Sequence, residues 1–332
     1  MPPSRKQQAS GPTSAKPAKN TSKKQKAKDD DRPNIAKVVL GEQVMVPLYK
    51  SPYPVDLVGE KPEMLYVCEF CFKYTTDISK YLGHRKFCEI GRGMTELPGT
   101  FEEQIDREHS IYRVDAETDG LFCSNMCLFA KLFMHDKSIY FDLKGFIFYT
   151  VVKSIDEGIS AVPGMPVREP LRRVVGFFSK EKMSWDDFNL ACILVFEPFL
   201  RCGLGTKMIE YSYRLSKREG KPGSPEKPMS DLGKLTYHRY WRRVISGVLL
   251  NPDPKRAATT QKEISIADIS KITMITPEDI LEILGQMEAV VKRPADSQII
   301  ISISRVEAFI KKEKVAPAKW TYLSEIDDYW YR

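Results

Sequence analysis

What the chain lacks narrows the field first. Nowhere in its 332 residues is there a run of 18 apolar side chains, so no segment reads as bilayer-spanning. The best stretch, Leu190 to Leu200, is cut by Glu197 and Pro198. The start, MPPSRKQQAS, has no apolar core of the kind a secretory signal needs. No repeat of fixed period is visible, which disfavours solenoids and propellers. Neither a Walker A sequence nor G-x-G-x-x-G occurs, so a P-loop and a Rossmann fingerprint are both unsupported. The seven cysteines are an odd number spread along a long chain without an export signal, which points to a reducing compartment.

Acid is absent from residues 1–28, which carry eight Lys and Arg. With a net charge of +7 over the whole sequence, the remainder is left at −1. The basic character therefore belongs to a tail, expected over 1–33, that is rich in Lys, Ser, Pro, Ala and Gln and too poor in apolar surface to offset its ordering entropy. Such a tail could touch nucleic acid weakly, carry a nuclear address, or remain a solvated extension.

What is present begins with metal-donor spacing. Cys68-x2-Cys71-x12-His84-x3-Cys88 places two ligands on a tight turn and two about one helical turn apart, as a closed tetrahedral zinc site requires. Four protein donors leave no open coordination position, so the ion would fold the segment rather than catalyse. Cys123 and Cys127 sit in an apolar helical stretch with no histidine at ligand spacing, and read as buried small hydrophobes. His109, His135 and His238 stand alone and read as structural or exposed.

Further along, Arg173 to Phe178 and Leu190 to Phe196 have the apolar, β-branched and aromatic character of buried strands. Thr206 to Glu219 reads as a helix with Met208, Ile209, Ser212 and Leu215 on one face. Between strand and helix lies Leu200-Arg201-Cys202-Gly203-Leu204-Gly205. Two glycines at a helix mouth let backbone N–H groups approach an anion closely, with the helix dipole favouring negative charge there. A strand, a short turn, R-x-G-x-G and a helix would suit the pyrophosphate of coenzyme A; a relaxed turn holding nothing is the plainer alternative. Residues 154–170, rich in Pro and Gly, read as a loop, and Gly220 to Pro228 as another. Thr276-Pro277-Glu278-Asp279 predicts a capping box with proline at the first helical position. Ile299, Ile301 and Ile303 alternate with serines as in a half-exposed strand. The sum is an α+β chain with a helix-turn-helix-like unit towards its end.

Taken together, the stretches LYKSPYP (48–54), CEFCFKY (68–74), FCSNMCLFAKLFMHDKSIYFDLKGFIFY (122–149), GFFSKEK (176–182), NLACIL (189–194), RCGLG (201–205) and GSPEKPMSDLG (223–233) resemble the MYST family of histone acetyltransferases. The likeness runs from about Asn34 to about Ile310. It implies a GNAT-like acetyl-CoA-binding core over 92–235 within a domain of 34–312. It further implies a C2HC zinc finger over 66–91, a helix-turn-helix-like unit over 236–312, and a C-terminal tail from 313.

Carried over by position, Glu226 would be the general base, Cys192 the active-site cysteine and Lys137 the autoacetylated lysine. Ile193, Leu194 and Val195 would line the cofactor along the strand. Leu200, Arg201, Cys202, Gly203, Leu204, Gly205 and Thr206 would hold it at the turn, with Ser230 and Arg239 contributing further contacts. Leu200, Thr206 and Arg239 depart from the residues usual at those positions. The resemblance implies acetyl-CoA as substrate, one structural zinc, core histone tails as acceptors, a chromatin-modifying complex as setting, no membrane, and the nucleus as location.

The chemistry requires such residues. A lysine near pKa 10.4 is protonated at neutral pH and cannot attack a thioester until a base takes its proton. A glutamate made more basic by burial suits that role, and backbone N–H groups near the strand could stabilise the oxyanion. Direct attack needs only the glutamate, whereas a ping-pong route needs Cys192 as nucleophile; the reading adopted is direct transfer with Cys192 lining the pocket.

The rival is a zinc-finger and winged-helix DNA-binding or scaffold protein without catalysis. Against it, the expected second helix, Thr276 to Val290, carries Glu278, Asp279, Glu282 and Glu288 and no Lys or Arg, the wrong sign for phosphate contact.

Overall fold

The computed structural model describes residues 32–135, 141–155, 171–251, 264–293 and 298–319. Lys137, most of the 154–170 loop and nearly all of the basic tail lie outside them.

The chain opens with β1 (Lys37–Leu40) and β2 (Gln43–Met45), a short helix α1 (Val55–Val58), β3 (Met64–Val67) and β4 (Tyr74–Thr75). They form one sheet in the order β2-β1-β3-β4, with β1 and β3 parallel. Helix α2 (Ile78–Phe87) follows, its start fixed by Asp77, whose side chain accepts from the N–H groups of Ser79 and Lys80.

The central sheet is antiparallel, β10-β8-β7-β6-β5, built from β5 (Thr100–Gln104), β6 (His109–Asp115), β7 (Phe146–Ile155), β8 (Leu171–Glu181) and β10 (Ile193–Val195). Between β6 and β7 runs α3 (Gly120–Lys131), apolar nearly all round and buried, with Cys123 and Cys127 fully enclosed. Both act as small hydrophobes, as the sequence implies.

The segment expected as one strand from Leu190 to Phe196 is two. β9 (Phe188–Leu190) and β10 are separated at Ala191 and Cys192. β10 pairs antiparallel with β8, while β9 pairs parallel with β11 (Ser224–Pro225). The break is held in place: Ala191 N–H donates to the Ser179 carbonyl (2.8 Å) and Ser179 N–H to the Cys192 carbonyl (2.8 Å).

Helix α4 (Leu204–Glu219) begins two residues earlier than its apolar period suggests, directly after Gly203, whose φ of 78° is a left-handed conformation natural to glycine. Its inner face buries Met208, Ile209, Ser212 and Leu215, as read from the sequence. Helix α5 (Asp231–Leu250) packs across it: Trp241 Nε1–H donates to the Tyr213 hydroxyl (2.7 Å), and the Tyr213 and Tyr240 rings stack with centroids 5.3 Å apart. This helix runs unbroken through residue 235, where the sequence divides core from C-terminal unit.

That unit continues with α6 (Ile266–Thr273), α7 (Pro277–Gln286), β12 (Val290–Lys292), β13 (Ile299–Ile301) and α8 (Ile303–Glu313). Three expectations are corrected here. The capping box at Thr276 does not form: Thr276 makes no side-chain cap, and the Asp279 carboxylate, which would supply the reciprocal half, accepts from Lys227 instead. Ile303 opens a helix rather than continuing the strand. The segment after 312 does not leave the fold at once: Ala318 is buried on α5, its N–H bonded to the Arg243 carbonyl (2.9 Å).

Gly176 in β8 has a specific reason to be glycine. A Cβ there would lie 2.8 Å from the Leu194 carbonyl oxygen and 3.2 Å from the Val195 Cα, so a side chain would drive β10 off the sheet. Gly176→Ala is expected to destabilise by about 1–3 kcal/mol, the usual range for overpacking a tight interior. In a domain of this size that lowers Tm by about 2–4 °C per kcal/mol. A thermal melt superimposing on wild type would show that β10 has room to spare.

Candidate functional site

The metal donors converge. The ligand atoms of Cys68, Cys71, His84 and Cys88 all lie within 4.8 Å of one another, with Cys68 Sγ and Cys88 Sγ 3.8 Å apart and Cys71 Sγ 3.2 Å from His84 Nε2. Zinc–sulfur bonds of about 2.3 Å give a tetrahedral edge of about 3.8 Å, so the donor set fits one zinc. Its charge state argues the same way. Hydrogen bonds from Cys68 and Cys71 hold the Cys88 thiol down at about 2, while contacts with Cys71 and Cys88, aided by burial, push Cys68 far up. Three thiols packed this closely oppose one another's ionisation, and a divalent cation between them removes that conflict.

The finger is fastened to the central sheet. Glu69 accepts from Arg85 Nη2 (3.1 Å) within the finger and from Arg173 Nη1 (2.9 Å) on β8. Phe72, fully buried, meets Phe122, Phe129 and Phe196 at centroid distances of 5.5–6.0 Å.

The second site grows from the split at Ala191–Cys192. Cys192 is half-buried, and its N–H donates to the Ser179 hydroxyl (3.2 Å), so an oxyanion donor must be sought among other amides. Beyond it, Ile193, Leu194 and Val195 are half-buried on an edge strand. An edge strand offers main-chain donors and acceptors along one side, to which an extended amide-bearing chain can pair.

The turn to α4 then reverses direction through Arg201 (φ 64°) and Gly203 (φ 78°), two left-handed residues around the exposed Cys202. The helix start has no side-chain cap, so the first-turn amides of Leu204, Gly205 and Thr206 face outward without one. Leu204 contributes its backbone alone, since its side chain is buried beneath β8 and β10. Leu200 and Arg201 are exposed on the approach. Behind the turn, Lys207 pairs with Asp106. Burial alone would raise the Asp106 carboxyl, but Lys207, the Glu108 N–H and His109 hold it well below the carboxylate range. This lysine is thereby neutralised, leaving Arg201 as the exposed cation of the turn.

Glu226 arrives from the other side. Its N–H donates to the Leu190 carbonyl (2.8 Å), two residues before Cys192, which brings the expected base and the expected cysteine to one place. Its side chain is exposed, where the sequence reading expected a buried glutamate. Ser230 is the N-cap of α5, its hydroxyl accepting from Gly233 N–H (3.1 Å), and Arg239 is exposed further along that helix. Sequence reading missed Ser179, which orders the split from β8, and Gly176, whose place inside a buried strand was the available signal.

A zinc-loaded finger is expected to yield about one equivalent of zinc per chain by metal analysis. Cys68→Ser should lose the metal and lower Tm; full zinc retention in that variant would remove Cys68 from the ligand set.

Comparison with known proteins adds lineage to this geometry. A profile of the MOZ/SAS family matches residues 100–325, and one of the MYST family zinc finger domain matches residues 32–88. The histone acetyltransferase esa-1 of Neurospora crassa is 34% identical over 286 residues, covering 86% of this chain and 51% of its own length. A Tip60 homolog of Caenorhabditis elegans, also a histone acetyltransferase, is 35% identical over 292 residues, covering 86% and 59%. The histone acetyltransferase ESA1 of Saccharomyces cerevisiae is 36% identical over 248 residues, covering 75% and 49%. The chain spans about half the length of these curated relatives. With one family profile extending over most of the sequence and its companion finger profile ending on the last zinc donor, this chain belongs to the MOZ/SAS family and carries a MYST-type zinc finger.

Proposed function

We propose that the chain is an acetyl-CoA-dependent protein lysine acetyltransferase acting on core histone tails in the nucleus, within a chromatin-modifying complex. The observation that supports this reading is the hydrogen bond from Glu226 N–H to the Leu190 carbonyl (2.8 Å), which holds the Glu226 backbone close to the strand break that bears Cys192. Family membership and the names of the relatives support the substrate class.

In this reading the pantetheine arm of acetyl-CoA lies along Ile193, Leu194 and Val195. Its pyrophosphate meets the amides from Leu200 to Thr206, with Arg201 adding positive charge. Ser230, at the N-cap of α5, and Arg239, within that helix, add further contacts to the cofactor. Glu226 accepts a proton from the incoming lysine ammonium. The freed amine attacks the thioester carbon, the C–S bond breaks, and the thiolate leaves to take up a proton. Glu226 is exposed in the chain alone, and bound substrates would cover it and exclude water from the proton transfer. Cys192 lines the pocket, and direct transfer needs no covalent role for it. Lys137 would be the site of autoacetylation, and the basic tail a weak contact to nucleic acid.

The DNA-reading alternative gains nothing from the fold. α7 bears no Lys or Arg, and one of its acids, Asp279, is buried in an ion pair with the Glu226 loop. The wing-like pair β12–β13 stays small.

Incubation with labelled acetyl-CoA and core histones tests the assignment. Glu226→Gln is expected to reduce transfer at neutral pH at least tenfold, within the range general bases usually contribute. Undiminished transfer would remove Glu226 from the mechanism. Cys192→Ala is expected to retain measurable single-turnover transfer, and its complete loss with an intact fold would favour the ping-pong route.

A further inference from the structure

Lys227, directly after Glu226, reaches across to α7. Its Nζ lies 2.6 Å from Asp279 Oδ1. The two ends of this pair are unequal: the lysine side chain is 45% exposed, whereas the aspartate is fully buried. The other carboxylate oxygen, Oδ2, is buried without a hydrogen-bond partner. A buried carboxylate in that condition is costly to the fold unless something offsets its charge. Here two things do, the Lys227 ammonium and the positive end of α7, since Asp279 sits in the first turn of that helix. Removal of Asp279 from its own helix cap, noted above, is what frees it for this contact.

The same loop is gripped at a second point. Gly223 N–H donates to the Met274 carbonyl (2.9 Å), and Gly223 bridges Ile275 in parallel. On its other side a Cβ at Gly223 would lie 2.6 Å from the Asn189 Cβ. The segment Gly223 to Lys227 is therefore sandwiched between β9 and the α6–α7 turn, with Glu226 at its exposed crest.

We propose that Asp279 is a positioning residue for the base: through Lys227 it locks the Glu226 loop onto the end of β9, so the C-terminal helix pair serves as a clamp on the catalytic loop. This rests on the reading of Glu226 as general base. Lys227 alone cannot supply the constraint, because a half-exposed lysine without a fixed partner samples many rotamers. Asp279 supplies the fixed point, being itself immobilised by burial.

The clamp predicts an asymmetry that ordinary structural damage does not. Asp279→Asn removes the buried charge while keeping the shape, so its melting temperature should stay within a few degrees of wild type. Its kcat should fall about tenfold or more, with KM for acetyl-CoA changed less than about twofold, because the cofactor strand and turn are untouched. Lys227→Met strands the buried carboxylate and should melt markedly lower. The double variant Asp279→Asn/Lys227→Met should regain melting temperature but not kcat, and Lys227→Arg should keep at least half of wild-type kcat.

All are assayed on the full chain with saturating core histones and a varied concentration of acetyl-CoA. Wild-type kcat in Asp279→Asn or in the double variant overturns the proposal. So does a loss of kcat that comes with an equal rise in KM and a matching fall in melting temperature. Glu226→Gln, run in parallel, separates the two failures. Full activity in that variant sinks the base assignment itself, whereas its inactivity beside a fully active Asp279→Asn sinks only the clamp.

Discussion

The structure turns on a divergence at Ala191–Cys192. Before it, the chain pairs with the short strand Ser224–Pro225; after it, with β8. A single continuous strand would have kept β10 and the Glu226 loop on one ladder, with no opening between them. Because successive partners differ, main-chain groups are turned in two directions within a few residues, and β10 and the Glu226 loop part from each other there. Ser179 enforces the divergence from below, its backbone bonded on both sides of the break and its hydroxyl taking the Cys192 N–H.

The remaining elements can be understood by what they contribute to that opening. α4 brings a helix mouth to its far end through Gly203. α5 crosses α4 by way of a buried aromatic set, Tyr213, Tyr237, Tyr240 and Trp241. The C-terminal unit, which resembles a nucleic-acid reader in outline, faces its buried acid towards the loop that carries Glu226. Charge separates the two roles better than topology does, since a recognition helix needs cations that α7 does not carry.

Much of this was legible beforehand, for physical reasons specific to each case. The zinc donors were readable because ligand spacing is a local property: a tight turn and a helical i,i+4 pair bring their atoms together regardless of the rest of the fold. The inner face of α4 was readable because 3.6-residue periodicity is imposed by burial. The strand break was not, because Leu190 to Phe196 is apolar throughout and its partners lie far away in sequence. The missing cap at Thr276 was invisible for a related reason: the motif is correct locally, but Asp279 finds a better partner 52 residues away. Ala318 likewise shows no local pattern; its place is set by close contact at Gly247, where an added Cβ would meet Ala318 atoms at 2.7–2.9 Å.

Phe72 belongs to the finger, yet its ring lies among Phe122, Phe129 and Phe196, and Phe196 immediately follows the edge strand β10. Its backbone holds a positive φ of 58°, a conformation that the loop between the second cysteine and β4 must impose. The loop that carries two of the metal donors thus also presses a ring against the residue that follows β10, so loss of the metal would loosen that aromatic packing.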